Sequence, residues 1–302
     1  MAPGQQIRTT LRSSGLAPHK KLGQNFLVHR HTAERIVELA APAKDDVIVE
    51  VGVGLGALTN PIAARAAEVI GIETDSGLVQ FHRDQNDLPA NVTLIHADIL
   101  KISLEQLVER SGGPLKIIAN LPYSVSSPFL FRLLDHRALV DWAVVMLQKE
   151  VALRLTAEPG TREYGIPSVL FAACAAIESL MPVKPEEFHP RPRVDSQVIR
   201  IRFRPPPERL AHIPPFDWNM MKKIVHTCFA RRRKTLLNGL AAAGLIADRN
   251  LLKAVIERAG LSPTIRAEQL SLEQFADLAR CMEEYTGKAA TGSTGNLNHI
   301  ST

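Results

Sequence analysis

The chain has 302 residues, 45% of them hydrophobic and 22% charged, which suits one large α/β domain and a small second one with real cores. Its net charge of +5 favours polyanionic partners only slightly by itself. There is no signal-peptide core at the N-terminus and no apolar run of about 18 residues, so neither secretion nor membrane spanning is expected and a cytoplasmic protein is.

The first thirty residues carry Arg8, Arg12, Lys20, Lys21 and Arg30 and no acid, a basic arm. Ala33–Leu39 has helical apolar spacing. Strand-like runs then alternate with helical ones, the pattern of a parallel sheet covered on both faces. The strands fall at Val47–Val51, Val69–Ile72, Val92–Ile95, Leu115–Ala119 and Ala143–Leu147. An apolar helix follows around Ser168–Ala176, then an extended proline-rich loop at Pro182–Pro192, then an edge strand at Ser196–Phe203. Arg204-Pro205-Pro206-Pro207 is a stiff break and the predicted domain boundary. Beyond it Met221, Ile224, Val225, Cys228 and Phe229 follow helical spacing, and Ser271 with Gln274 forms a capping box for a last helix ending near Tyr285. From Gly287 a polar tail is expected to be disordered. Cys174, Cys228 and Cys281 are odd in number and in no CxxC arrangement, and the histidines lack metal-ligand spacing, so reduced thiols and no bound metal are expected.

The run from Val49 to Leu58 leaves a strand, turns on Gly52, Gly54 and Gly56, and enters a helix. Glycine lets a ligand approach the backbone, and the helix start offers free N–H groups. Glu73 closes the next strand about twenty residues on, where a carboxylate can accept ribose hydroxyls. Gly52, Gly54 and Ala57, with this acid, also satisfy the dinucleotide fingerprint, which leaves a nicotinamide enzyme open. Asp98 ends the third strand, where it caps a turn or accepts from an adenine amine. Asn120-Leu121-Pro122-Tyr123 ends the fourth. Polar stations at four successive strand ends outline one elongated ligand pocket.

The tetrapeptide carries the chemistry. An adenine amine is a poor nucleophile because its lone pair is delocalised into the ring. Acceptors on its two hydrogens, here the Asn120 side-chain oxygen and the Leu121 carbonyl, favour the tetrahedral geometry and the positive charge that develop during attack on a sulfonium methyl. Pro122 stiffens the loop and Tyr123 offers a flat face to the base. Phe188 either covers the other face or is a core side chain fastening the proline loop. Arg231-Arg232-Arg233-Lys234, four cations read as part of a helix, are assigned to an RNA phosphate backbone.

Five segments in one order, Lys21-Leu22-Gly23-Gln24-Asn25-Phe26-Leu27, Glu50-Val51-Gly52-Val53-Gly54, Asn120-Leu121-Pro122-Tyr123, Leu147-Gln148-Lys149-Glu150-Val151 and Phe188-His189-Pro190-Arg191-Pro192-Arg193-Val194-Asp195-Ser196, resemble the KsgA family, the small-subunit ribosomal RNA adenine dimethyltransferases. The resemblance runs from about Lys20 to Tyr285. It implies a Rossmann-like class I S-adenosylmethionine methyltransferase domain over residues 1–205 and a helical RNA-binding domain over 206–286, with the tail at 287–302. It also implies transfer of four methyls to the N6 amines of two adjacent adenosines near the 3′ end of 16S rRNA, within an immature small ribosomal subunit. By motif position Asn25, Leu27, Gly52, Glu73, Asp98 and Asn120 contact the cofactor, Asn120 orients the target amine and Tyr123 stacks on it. Phe229–Leu240 is similar to the family's basic C-terminal helix. Val53 stands where the family usually has proline, and Ser124 where asparagine is common.

Three other readings compete: the related macrolide-resistance family, which acts on large-subunit RNA; an assembly factor that binds RNA without catalysis; and a nicotinamide dehydrogenase. The Leu121 form of the tetrapeptide and the Phe188–Ser196 motif favour the small-subunit enzyme. No oligomerisation signal stands out, and a monomer is expected.

Overall fold

The computed structural model describes residues 3–13, 16–18 and 23–292. The chain divides into two compact units: Met1–Leu153 with Cys174–Pro207, and Arg154–Ala173 with Glu208–Thr302. This differs from the expected division at residue 205. The chain leaves the first unit after Leu153, contributes one helix to the second, and returns at Cys174. A composition break such as Pro205–Pro207 marks one crossing, whereas nothing in the sequence marks the earlier pair.

In chain order the first unit begins with α1 (Pro3–Ser13), β1 (Phe26–Leu27) and α2 (Arg30–Ala40). There follow β2 (Val47–Val51), α3 (Thr59–Ala63), β3 (Glu68–Glu73), α4 (Ser76–Gln85), β4 (Val92–His96), α5 (Leu104–Ser111), β5 (Leu115–Asn120), α6 (Tyr123–Asp135) and β6 (Val140–Gln148). α7 (Lys149–Leu155) and α8 (Ile166–Ala172) lead away, and β7 (Ala176–Val183), β8 (Phe188–His189) and β9 (Ser196–Arg202) complete the unit. A seven-stranded sheet runs β4-β3-β2-β5-β6-β9-β7, parallel from β4 to β6 and antiparallel at β9 and β7. The five predicted strands are its parallel part. Their β-branched, near-continuous apolar runs are what burial on both faces requires. On one face Ala33, Ile36, Val37 and Ala40 of α2 pack with Ile48, Ile62, Val69, Ile118 and Val144 in one core.

The strand order reverses between β2 and β5, so their carboxyl ends open a crevice where ligands bind in such sheets. Ser196–Phe203, expected at the edge, is interior: β9 lies between β6 and β7, and β7 is the edge strand on that side. β7 escaped the pattern because a register shift between Ser179 and Met181 breaks its alternation and Pro182 sits within it, both tolerated at an edge. The expected loop at 182–192 accordingly contains the end of β7 and β8, which pairs with β1 through Leu27–Phe188 and Phe26–His189. The basic arm is in part an amphipathic helix, with Leu11 of α1 packed against Phe26 and Leu78. Lys20 and Lys21 lie outside the described residues.

The second unit comprises α8, α9 (Trp218–Ala230), α10 (Leu236–Ala241), α11 (Arg249–Arg258) and α12 (Leu272–Gly292). Met221, Ile224, Val225 and Cys228 bury the predicted stripe of α9, against which α8, α10 and α12 pack. Tyr164 is buried, donates to the Leu270 carbonyl at 2.7 Å and meets Phe229 edge-on. Both arms of the capping box are made: Ser271 N–H donates to Gln274 Oε1 at 2.9 Å, and Gln274 N–H to Ser271 Oγ at 3.3 Å. α12 continues to Gly292, past the expected end near Tyr285, so 287–292 are helical; the rest of the predicted tail lies outside the described residues. Arg231–Lys234 is a turn between α9 and α10 and not part of a helix. Adjacent cations repel one another, and the Lys234 N–H closes the turn onto the Arg231 carbonyl at 2.8 Å. Among the described residues no helix is long and apolar enough to cross a membrane.

Candidate active site

A single cavity occupies the crevice. Its walls are the Gln24–Leu27 segment, the Gly52–Leu55 loop, Glu50, Glu73, Asp98 and Asn120–Pro122. The glycines are required by geometry. Gly52 has φ +82°, and a Cβ there would come within 3.0 Å of the Asn120 carbonyl oxygen, so only glycine lets β2 and β5 close on the crevice. Gly54 turns the loop at φ +59°. Val53 is buried, and its side chain fills the space a Cβ on Gly71 would take.

Glu73 ends β3 with both oxygens committed to backbone. Oε2 accepts from Gly54 N–H at 2.9 Å, and Oε1 accepts from Thr74 at 2.8 Å and Asp75 at 2.9 Å. Asp75 in turn caps α4, accepting from Gly77 N–H at 2.9 Å, and accepts the Gln24 amide at 2.8 Å. Hydrogen bonds therefore run from the β1 segment, which carries Asn25 and Leu27, to the glycine loop. The Asn25 side-chain amide donates to the Gly23 carbonyl at 3.0 Å. Leu27 is shared between the cavity wall and the core. His82, unremarked in the sequence, is buried and bridges the Gly54 carbonyl at 2.9 Å and Asp87 at 2.8 Å. Asp98 follows β4. Oδ1 caps the turn by accepting from Leu100 N–H at 2.9 Å, while the residue lines the cavity.

Asn120 ends β5 and lines the cavity, and no hydrogen bond to its side chain occurs among the described residues. Leu121 is buried, and Pro122 precedes α6 with φ −54°. Tyr123 opens α6, and its hydroxyl is 2.6 Å from Ser196 Oγ, a link between the parallel strands and β9 that composition and spacing did not reveal. Partial burial pushes the Tyr123 hydroxyl's pKa up, and the Ser196 bond offsets part of that. Phe188 is not on the cavity wall. It is 5% exposed and packs in the core with Leu27, Val183 and Val198, which corrects its assignment as a face for the base. Its backbone pairing with Leu27 holds the side chain there.

Glu50 went unassigned in the sequence, where it looks like one acid in the strand Val47-Ile48-Val49-Glu50-Val51. It is fully buried on the cavity wall, and burial above all, with repulsion from Glu73, pushes its pKa up to about 8. In the second unit Arg232 is engaged internally, with Nε 2.8 Å from Glu268 and Nη2 donating to the Thr161 carbonyl at 3.3 Å. Arg231, Arg233 and Lys234 are exposed, with no ion pair among the described residues.

The fold is that of class I methyltransferases. It is shared with a dimethyladenosine transferase from Plasmodium falciparum (TM-score 0.69, 23% identity, 87% of this chain and 98% of that one) and with the 23S rRNA methyltransferase ErmE (TM-score 0.62, 24% identity, 86% and 100%). Methyl transfer by such enzymes needs a methyl donor. Residues 15–284 match the family model for ribosomal RNA adenine dimethylase, and the chain belongs to that family. A Desulfotalea psychrophila protein named ribosomal RNA small subunit methyltransferase A is 47% identical over 287 residues, covering 92% of this chain and 96% of its own.

Proposed function

We propose that this protein transfers methyl groups from S-adenosylmethionine to the N6 amines of two adjacent adenosines near the 3′ end of 16S rRNA, giving N6,N6-dimethyladenosine in the maturing small ribosomal subunit. It does so as a cytoplasmic monomer. The observation that carries the reading is the Asn120 side chain, unpaired among the described residues, facing a cavity whose opposite wall is a glycine loop tied down by Glu73. The relative named for the small subunit directs the choice of RNA.

The cradle fits the donor. Gly52 leaves room for close approach, the Gly54 loop is fixed, and Glu73 and Asp98 place carboxylates at the ends of adjacent strands for the ribose and adenine. Asn25 and Leu27 would close the near side. The donor supplies an electrophilic methyl on a sulfonium. Asn120 Oδ1 and the Leu121 carbonyl accept from the two amine hydrogens, which favours a tetrahedral nitrogen and the charge that builds on it. Tyr123, its hydroxyl held by Ser196, offers its ring to the extruded base and offsets part of the cost of unstacking it. No strong base is required, because the amine becomes acidic only after transfer.

Incubation with labelled S-adenosylmethionine and unmethylated small or large subunits, followed by mapping of the label, tests the reading. Paired dimethyladenosines near the 3′ end of 16S rRNA are expected, and label confined to 23S rRNA would reverse the choice of subunit. Phosphate contacts fall to the free cations of the turn. Replacing Arg231 and Arg233 by Ala should flatten the slope of log affinity for small subunits against log salt by up to about two units. Donor affinity should be unaffected. An unchanged slope would make the turn plain solvated surface.

A further inference from the structure

Of the carboxylates on the cavity wall, Glu73 and Asp98 have hydrogen-bond partners and Glu50 has none among the described residues. Glu50 sits inside the sheet, in register with Gly71 of β3 and Ile118 of β5, and is fully buried. Neither of its oxygens has a hydrogen-bond partner among the described residues. The Thr59 hydroxyl of α3 is buried and also unpaired; it faces Glu50 and draws its pKa down somewhat without reaching hydrogen-bonding geometry. The titratable group acting on Glu50 is Glu73 from β3, which is negative. The adjacent positions of β5 are the neutral Ile118 and Asn120, and the other carboxylate on the cavity wall is Asp98 after β4. Thus no cation among the described residues compensates this acid.

A buried carboxylate with no donor and a second carboxylate nearby does not persist as an anion. It takes up a proton. A cation placed in the cavity reverses that preference, because an opposite charge in a poorly solvated site favours the ionised acid. Resting on the reading of this cavity as the methyl-donor site, we propose that Glu50 is a neutral acid in the empty protein and ionises when the sulfonium-bearing donor binds. Donor binding then expels a proton that binding of the neutral thioether product does not.

The balance is simple. The Glu50 carboxylic acid becomes a carboxylate, one proton passes to solvent, and no bond to the donor forms. Methyl transfer converts the sulfonium to an uncharged thioether. The carboxylate loses its counter-charge, regains a proton and holds the product less tightly. Glu50 is thus a positioning residue that discriminates ligands by charge, favouring the charged donor over the spent one where both differ by a single methyl.

Calorimetry at pH 7 in two buffers of different ionisation enthalpy counts the protons. S-adenosylmethionine should release close to one proton per site and S-adenosylhomocysteine close to none. Affinity for the donor should rise with pH by up to about tenfold per unit and level off above pH 8, because below that pH the empty protein holds a proton that the complex lacks. Product affinity should stay flat. Glu50→Gln should still bind both ligands, release no proton, and lose about tenfold or more in donor affinity while changing product affinity little. Equal proton release by the two ligands of the parent protein overturns the proposal, as does release that survives in E50Q. Failure of the parent protein to bind either ligand would instead remove the donor reading on which the proposal rests.

Discussion

The two walls of the cavity are built on opposite plans. On the β3 side, Glu73 spends both oxygens on three backbone N–H groups, so the glycine loop is set before any ligand arrives. On the β5 side, Asn120 has no hydrogen bond to its side chain among the described residues, and its acceptor is free for an amine. A wall anchored to its own backbone holds its acceptors in place before binding. A wall with an unspent acceptor does its work only as charge develops on the reacting group.

The sharpest test of that contrast is Asn120→Ala. Turnover of small subunits should fall by about 10²–10³, while donor affinity falls much less. Single-turnover methylation beside calorimetry would check this, and matching losses in both would erase the distinction between the walls. Glu73→Ala should act the other way. Donor affinity should drop roughly tenfold to a hundredfold, and the free protein should lose about 1–3 kcal/mol, because backbone donors are left unpaired. Thermal unfolding reads the second effect, and an unshifted midpoint would mean that the anchor is dispensable. Tyr123→Phe should be the mildest. It keeps the ring and gives up the Ser196 bond, at about 1 kcal/mol and a few-fold in rate. Tyr123→Ala should be far slower, and equal rates for the Phe and Ala variants would dismiss stacking.

The parallel strands were legible because each is a short apolar run rich in β-branched residues, buried in β2, β3, β5 and β6, and the glycine loop because its chemistry is local. The stations at Gly52, Glu73, Asp98 and Asn120 followed, since each lies one to three residues past a strand that could be placed. What stayed hidden depends on distant partners. β7 carries a bulge and a proline, so its identity rests on β9. Phe188 could be a base cover or a core residue until its pairing with Leu27 decided the matter. Arg231–Lys234 continued a helical stripe on paper, yet α9 stops at Ala230, and Arg232 is drawn to Glu268, which is far along the chain. Glu50 resembled an ordinary strand residue, because only the surrounding sheet reveals that nothing answers its charge.

The excursion of Arg154–Ala173 bears on how the protein is made. During synthesis α8 emerges before α9, the helix on which it packs, and long before Leu270, whose carbonyl receives the Tyr164 hydroxyl. Domains tend to fold as units, N-terminal first. Here the nascent first unit closes around a loop carrying α8, whose packing partner α9 begins about fifty residues further along the chain. A chain cut after Pro207 would leave α8 without the helix on which it packs, so residues 1–207 expressed alone are expected to be less soluble than the whole protein.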